Sequence, residues 1–485
     1  MTFNDYLLDD DRYKLYLLEY IEATADSEIL ISTLCDFIGL SKFKTIKLLN
    51  SLMIDLINYP TLILLITQQN TIHCEHMTLE IIRQQRLNYL KKSPIFLILH
   101  ETIQNTFSMR MFAQKHFLGQ TAAYQAKKDL NRILKTQNIK LKNKTIIGDE
   151  LSIRAYLFEL YYYFFNGFEF PFSGRILNHT QQTMQTIPNL DISMLALTQR
   201  IKLELFLAIQ YLRIHNDNEL NSPATTAINN DTFSTKSELS NQYISQHFTS
   251  KNNFSFELQY LELNLFVNRL TSDSKVHYHI LPESMTAKLN IAFFKYLEKE
   301  IQFKDDYLFS KTCREWQKLN ISITNIHLLL ELSHFTASSF ISANQIHYFE
   351  ENYPVFHKIT KKFLTNHIFK IYPHLSDEKK VGLFYDYMFA LIAALPYRLV
   401  DHPTYICVDF SNGPDYTQFI TSTIESFKDL NLIIQAIPSS KTDLYISDFS
   451  IQSLTCTQII WKNPPSANDW EHFANSILKI KDGGL

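Results

Sequence analysis

A chain of 485 residues, 46% hydrophobic and 20% charged, is too long for one core and too apolar for a disordered polymer. Its nine glycines are few for a Gly-rich nucleotide-binding enzyme, and its formal net charge is only −3. Five scattered cysteines (Cys35, Cys74, Cys313, Cys407 and Cys456) form no C-x-x-C pair, which fits free thiols in a reducing cytoplasm.

The opening MTFNDYLLDDDRYK lacks a basic region followed by an apolar core, so no signal peptide is expected. No uncharged apolar run reaches the ~18–20 residues that span a bilayer. A soluble cytoplasmic protein with no membrane partner is the expectation.

Residues 1–56 read as helical. Asp9-Asp10-Asp11 offers an N-cap, and Tyr13, Leu15, Leu17, Leu18 and Ile21 supply apolar positions. The stretch from Ile29 to Ser41 reads as helix, turn and N-cap. Lys42 to Leu49 then forms a recognition-type helix with Lys42, Lys44, Thr45 and Lys47 on its polar face. Leu62–Thr67 and Thr71–His73 alternate like a wing. Residues 1–76 thus read as a first winged helix-turn-helix, against the plainer alternative of a small helical packing domain. His73-Cys74-Glu75-His76 holds zinc-type ligands, but no second pair lies at finger spacing, so wing and linker is the better reading and no metal is expected.

After a helical connector over Leu79–Gln104, the segment Ser108–Arg154 carries the strongest signal. Ala123, Ala126, Leu130, Ile133 and Leu134 recur at three- and four-residue steps and predict one buried helical face. Thr121, Gln125, Lys128, Arg132 and Lys135 recur on another face, with Gln120, Tyr124 and Lys127 beside them. Short polar groups at a helix N-terminus suit base edges, and cations further along suit phosphates. Gly119 is expected to make the turn before this helix through a positive φ. From Arg110 to Lys144 nine Lys or Arg stand against one acid, Asp129, a local net charge of +8. Such an island is the electrostatic footprint of a phosphate-binding surface. The segment 77–165 reads as a second winged helix-turn-helix that binds double-stranded DNA.

The run Phe112–Leu134, with the tail Gly148, Glu150, Ile153 and Arg154, resembles the Mga/AtxA group of transcription regulators of Gram-positive bacteria, which often control virulence or carbohydrate-responsive genes. That pattern usually has Ser capping the recognition helix, then Arg, and a second Arg after the Tyr. Here Gly119, Gln120 and Gln125 stand at those places, while Tyr124 matches. The departures leave base specificity open and make readout of promoter DNA by shape a fair expectation.

Ala155–Phe165 opens a new helical region whose aromatics suit packing. The resemblance implies two phosphotransferase-linked regulation domains (PRDs), at 166–282 and 283–401. Helices are expected over Met194–His215, Phe254–Leu270, Ala287–Phe303, Ile323–Leu332 and Lys379–Leu395. The Asn-, Ser- and Thr-rich insert Asn216–Ser240 should be a mobile loop. Domains of this kind are controlled by histidine phosphorylation, and the resemblance places a target at His215, with His277 and His279 as alternatives. A histidine in the last turn of a helix also simply favours the helix dipole. In the second such domain His334, His347, His357, His367 and His374 stay open.

From 402 to 485 strands alternate with helices, predicting a small parallel α/β unit. It resembles the IIB component of phosphotransferase permeases, whose phosphorylated Cys follows the first strand. Here the loop reads Ser411-Asn412-Gly413-Pro414 and Cys407 falls inside the strand, so phosphotransfer is not expected and docking or dimerisation is.

The fold expected is mainly α, with two winged helix-turn-helix modules, two PRD-like domains and a C-terminal α/β unit. No nucleotide-binding, hydrolase or metalloprotease motif is present, so neither an enzyme nor a cofactor is expected. The function expected is a Mga/AtxA-type DNA-binding regulator, dimeric through its C-terminal half and controlled by histidine phosphorylation from a phosphocarrier protein. The alternative is a phosphotransferase-linked scaffold without DNA readout.

Overall fold

The computed structural model describes residues 3–24, 28–187, 190–228, 254–270, 280–301, 313–332, 348–350, 352–396, 403–427 and 430–482. The structure is mainly helical, and the described residues fall into two compact units. One holds residues up to 279 together with Leu332; the other holds those from 280 onward. No helix among the described residues is long and apolar enough to cross a membrane.

The first unit begins with α1 (Asp9–Ala23), β1 (Glu28–Leu30), α2 (Ile31–Ile38), α3 (Lys42–Asp55), β2 (Ile63–Ile66) and β3 (Thr71–Glu75). The strands pair antiparallel in the order β1-β3-β2, with Ile29 opposite Ile72 and Leu64 opposite Cys74. The wing expected at 62–73 is therefore present. Strand β1, read as helix from the sequence, is edge pairing that three residues of periodicity cannot signal. Gly39 ends α2 at φ 67, a left-handed backbone that costs glycine little, and Ser41 caps α3 by accepting from Lys44 N–H at 3.4 Å.

Next come α4 (Leu79–Lys92), α5 (Pro94–Ile103), α6 (Met109–Lys115), α7 (Gln120–Lys135), β4 (Lys140–Lys142), β5 (Thr145–Ile147) and α8 (Glu150–Phe165). Ser93 and Pro94 divide the expected connector into two helices, because proline lacks the N–H that a continuous helix needs. One helix, α8, carries both the Glu150–Arg154 tail and the aromatic run that follows. Its Tyr161 and Phe164 are fully buried, as packing residues should be.

A single apolar core runs from Tyr6 to Leu212 through all these elements. Tyr6 and Tyr156 share a hydrogen bond at 2.9 Å, Ser93 Oγ donates to the Tyr6 carbonyl at 2.5 Å, and the Arg86 guanidinium stacks 3.8 Å above the Tyr163 ring. The two helix-turn-helix segments are consequently parts of one body.

The unit continues with α9 (Gly174–Thr186), α10 (Leu197–His215) and α11 (Phe254–Val267). The start of the insert is not loose, which corrects the expectation for residues 216–228. Leu220, Ala224, Ala227 and Ile228 are buried, and the N–H groups of Leu220 and Ala224 donate to Glu257 and Gln259 at 2.9 Å each. Composition missed this because the few apolar residues are the ones turned inward. Residues 229–240 of the insert lie outside the described residues, as do His277, His279, His334 and His347.

The second unit contains α12 (Met285–Glu300), α13 (Arg314–Glu331), α14 (Pro354–Phe363) and α15 (Asp377–Ala394). Phe293 meets Phe363 edge-on, with centroids 5.0 Å apart, and lies 5.5 Å from the Tyr387 ring. His327 sits between Asn290 and Tyr387, its two ring nitrogens 2.5 Å from Asn290 Oδ1 and Tyr387 Oη.

The same unit ends in β6 (Thr404–Val408), α16 (Pro414–Glu425), β7 (Leu432–Gln435), β8 (Leu444–Ser447), β9 (Thr457–Ile460) and α17 (Ala467–Asp482). All four strands are parallel, in the order β7-β6-β8-β9, as strands alternating with helices predict. Cys407 lies buried within β6. The following loop is closed by Asp448, which accepts from Ser411 N–H at 3.0 Å, from the Ser411 hydroxyl, and from Asn463 Nδ2 at 3.2 Å.

Candidate nucleic-acid interface

Helix α7 is built as its periodicity requires. Ala123, Ala126, Leu130, Ile133 and Leu134 are buried, while Gln120, Thr121, Tyr124, Gln125, Lys128, Arg132 and Lys135 are exposed. The buried face, with the small Ala123 and Ala126 in it, packs α7 on α5 and α6 and so fixes the direction of the exposed stripe. Lys127 leaves that stripe. Its ammonium lies 3.5 Å from the Asn143 carbonyl and 5.9 Å from the Phe107 ring, so it ties α7 to the wing turn.

Asp129, the one acid of the segment, holds two of the exposed groups. It accepts from Gln125 Nε2 at 3.1 Å, and its other oxygen pairs with Arg132 at 3.3 Å. These i,i+4 and i,i+3 contacts pre-order both side chains and also cancel part of the local positive charge.

The turn before α7 differs from expectation. Gly119 is extended at φ −64, ψ 149, and accepts from Ala123 N–H as the N-cap; the left-handed residue is Phe117, at φ 52. Sequence reading assigned the positive φ to the glycine because it is the residue that tolerates one best.

The wing pairs Lys140 with Ile147, Leu141 with Ile146 and Lys142 with Thr145. Leu141 and Ile146 point inward, so the alternation sends Lys140 and Lys142 outward, and Lys144 is exposed in the tip. Asn131 fixes the wing to α7 by accepting from Leu141 N–H at 3.0 Å. Recognition stripe and lysine wing therefore share one core and a direct hydrogen bond.

On α3, Lys42, Lys44 and Lys47 are exposed, but Thr45 is not. It is fully buried, donates to the Ser41 carbonyl at 3.1 Å and accepts from Cys35 Sγ at 3.4 Å. Its place on a DNA-contacting face is thereby corrected: the hydroxyl satisfies itself on the helix and the methyl packs inward.

Sequence reading missed a buried charge cluster behind the wing. Glu150, at the start of α8, pairs with Arg154 Nε at 2.8 Å and with Arg213 of α10 at 2.9 and 2.7 Å. Arg213 also reaches the Ile146 carbonyl in β5 at 3.5 Å. Arg154 pairs with Glu257 of α11, and Gln210 Nε2 adds a bond to the same carboxylate at 3.0 Å. Lone charges inside the apolar runs LRIH and FSFELQYLEL were the available signal.

His215 closes α10 and is exposed, with its ring parallel to Tyr211 at 5.5 Å. His179 of α9 lies 4.1 Å from that same Tyr211 ring; burial first, then Arg175 and His215, hold its pKa below the usual range. Next to His215, Asn216 Nδ2 donates to the Ile103 carbonyl at the end of α5, at 2.7 Å.

Residues 80–161 match the family model of the Mga helix-turn-helix domain. The chain carries a Mga helix-turn-helix domain. The match runs from α4 through the wing and most of α8, so it takes in both the exposed stripe and Arg154. A comparison with curated proteins finds no match. A Mga helix-turn-helix domain supports DNA binding and transcription regulation, and the geometry above gives it a contact surface.

Proposed function

We propose that this protein is a cytoplasmic, non-enzymatic transcription regulator whose α7 lies in the major groove of duplex DNA. The observation that carries this reading is the continuous exposed set on α7, from Gln120 and Thr121 to Arg132 and Lys135, flanked by the lysine wing. The N-terminal polar groups reach base edges, and Lys128, Arg132, Lys135 and the wing lysines neutralise phosphates. Lys42, Lys44 and Lys47 on α3 add affinity.

Control passes through the PRD-like helices, and the C-terminal half serves dimerisation. His215 is the phosphorylation target, with a phosphocarrier protein as donor. A phosphoryl group there adds about −1.5 to −2 charge. It would sit two residues from Arg213, whose guanidinium bridges Glu150 and the wing strand. The added charge therefore bears on the side chain that positions the wing.

Fluorescence anisotropy of a long A·T-rich duplex, titrated at several salt concentrations, tests the DNA reading. Wild-type protein should bind tightly and weaken steeply with salt, and the Gln125→Ala/Lys128→Ala/Arg132→Ala variant should lose most of that affinity. If wild type and variant bind alike, α7 is not the reading helix. The observation favouring a scaffold instead is that Gln125, where the family pattern has Arg, is neutral and engaged by Asp129. Absence of salt-sensitive DNA binding would establish it.

A further inference from the structure

The two helix-turn-helix turns follow one plan. α2 runs into Gly39-Leu40-Ser41 and α6 into Phe117-Leu118-Gly119, and the third residue of each caps the next helix. In both, the leucine N–H donates five residues back: Leu40 to the Cys35 carbonyl at 3.2 Å, Leu118 to the Ala113 carbonyl at 2.9 Å. The left-handed position before that leucine is Gly39 at φ 67 in the first turn and Phe117 at φ 52 in the second. Glycine is the residue this position prefers, and a bulky L side chain there is strained.

Phe117 recovers nothing for that strain inside the chain, because it is 96% exposed. A side chain held in a strained backbone with its ring in water is placed for a contact outside the protein. The surroundings indicate the partner. Phe117 stands three residues before the exposed Gln120 and four before Thr121, and Tyr124 on the next turn is 61% exposed. No acid occurs from Ser108 to Lys128, while Arg110 and Lys128 are exposed. An apolar ring at the mouth of a cationic groove-binding helix matches one feature of the major groove, the C5-methyl of thymine.

We propose that Phe117 contacts a thymine methyl in the major groove, at the N-terminal end of α7. The inference rests on the reading of α7 as the DNA-recognition helix. It assigns to an aromatic in the turn part of the selectivity that Gln120 and Gln125 do not supply as arginines.

Removing only the methyl is the direct test. An A·T-rich duplex is compared with the same duplex in which deoxyuridine replaces thymidine, using the full-length protein. Wild type should bind the uridine duplex about three- to fivefold more weakly per contacted methyl. Phe117→Gly should bind both duplexes alike, at the weaker level, and its unfolding midpoint should rise as the strain is relieved. A Lys128→Ala/Arg132→Ala/Lys135→Ala variant should weaken on both duplexes. If wild type treats the two duplexes equally while the lysine–arginine variant weakens, the Phe117 inference is overturned and the DNA reading stands. Loss of affinity in Phe117→Gly without any uridine effect in wild type also overturns the methyl contact. If wild type binds neither duplex, both readings fall.

Discussion

Arg154 and Glu257, 103 residues apart in sequence, meet through two parallel hydrogen bonds, Nη1 to Oε2 at 2.6 Å and Nη2 to Oε1 at 2.7 Å, with both side chains buried. Burial works against the charge on Arg154; Glu257 and then Glu150 overcome it and hold the guanidinium protonated. With Arg213, the cluster has two acids and two bases, so it is neutral as a whole. Its geometry joins the wing, α8, α10 and α11.

Removing one partner of such a pair leaves a buried charge uncompensated. Arg154→Ala should lower stability by about 3–5 kcal/mol, read as a fall in the chemical-denaturation midpoint followed by circular dichroism. Arg154→Met/Glu257→Met should recover much of that loss, because neither charge is then stranded. Equal destabilisation in the single and double variants would show that the pair's packing, and not its charge balance, decides.

The two turn glycines should respond in opposite directions. Gly39→Ala forces a side chain into the left-handed region and should cost about 1–2 kcal/mol, although a Cβ there meets no atom within 4 Å. Gly119 has an ordinary φ and equally open surroundings. Gly119→Ser should stabilise by about 0.5–1 kcal/mol, through a side-chain cap and a less flexible unfolded chain. Thermal unfolding of the two variants decides, and a destabilised Gly119→Ser would contradict the extended cap.

Much of this site was legible because helical burial has a period that residue types report. The buried and exposed stripes of α7 followed from spacing alone, whereas the inward Leu141 and Ile146 of its wing emerged only with the strand pairing. Thr45 did not, because a hydroxyl reads as polar even when it bonds the preceding turn and turns its methyl inward. The Phe117 conformation did not, since a glycine two residues away offered an easier explanation of the same turn. The partnership of Arg154 with Glu257 depends on how α8 and α11 pack, which no local pattern encodes. A charge inside an apolar run signals only that some partner exists.

Two histidines, the half-buried His100 and the fully buried His327, should set the acid limit of stability. Burial lowers His100 to about 4, with Glu101 opposing and Lys115 assisting, and burial lowers His327 to about 3. In the unfolded chain both titrate near 6.5. Their contribution is therefore complete above about pH 6.5 and is lost as pH falls toward 4, where the unfolded chain binds protons that the folded one refuses. For His100 alone this amounts to roughly 3 kcal/mol across the window, less what its partial exposure to solvent removes. Denaturation midpoints of wild type and His100→Gln at pH 7.5, 6 and 5 should converge as pH falls. A constant difference would mean that the folded protein does not hold His100 neutral.

Cys407 should be the slowest partner for an alkylating agent among Cys35, Cys74, Cys407 and Cys456. The other three are half-buried, whereas Cys407 is fully buried in β6, and burial, then Asp409 and Cys456, push its thiol up to about 11. At pH 7.5 the thiolate fraction is roughly one in a few thousand, too small for a nucleophile that accepts a phosphoryl group. Iodoacetamide at pH 7.5, followed by peptide mass mapping, should modify Cys35, Cys74 and Cys456 first and reach Cys407 only after denaturant is added. Rapid labelling of Cys407 in the folded protein would place its sulfur in reach of solvent. That outcome would reopen phosphotransfer through the C-terminal α/β segment, against the reading of the Ser411–Pro414 loop as a closed, cysteine-free turn held by Asp448.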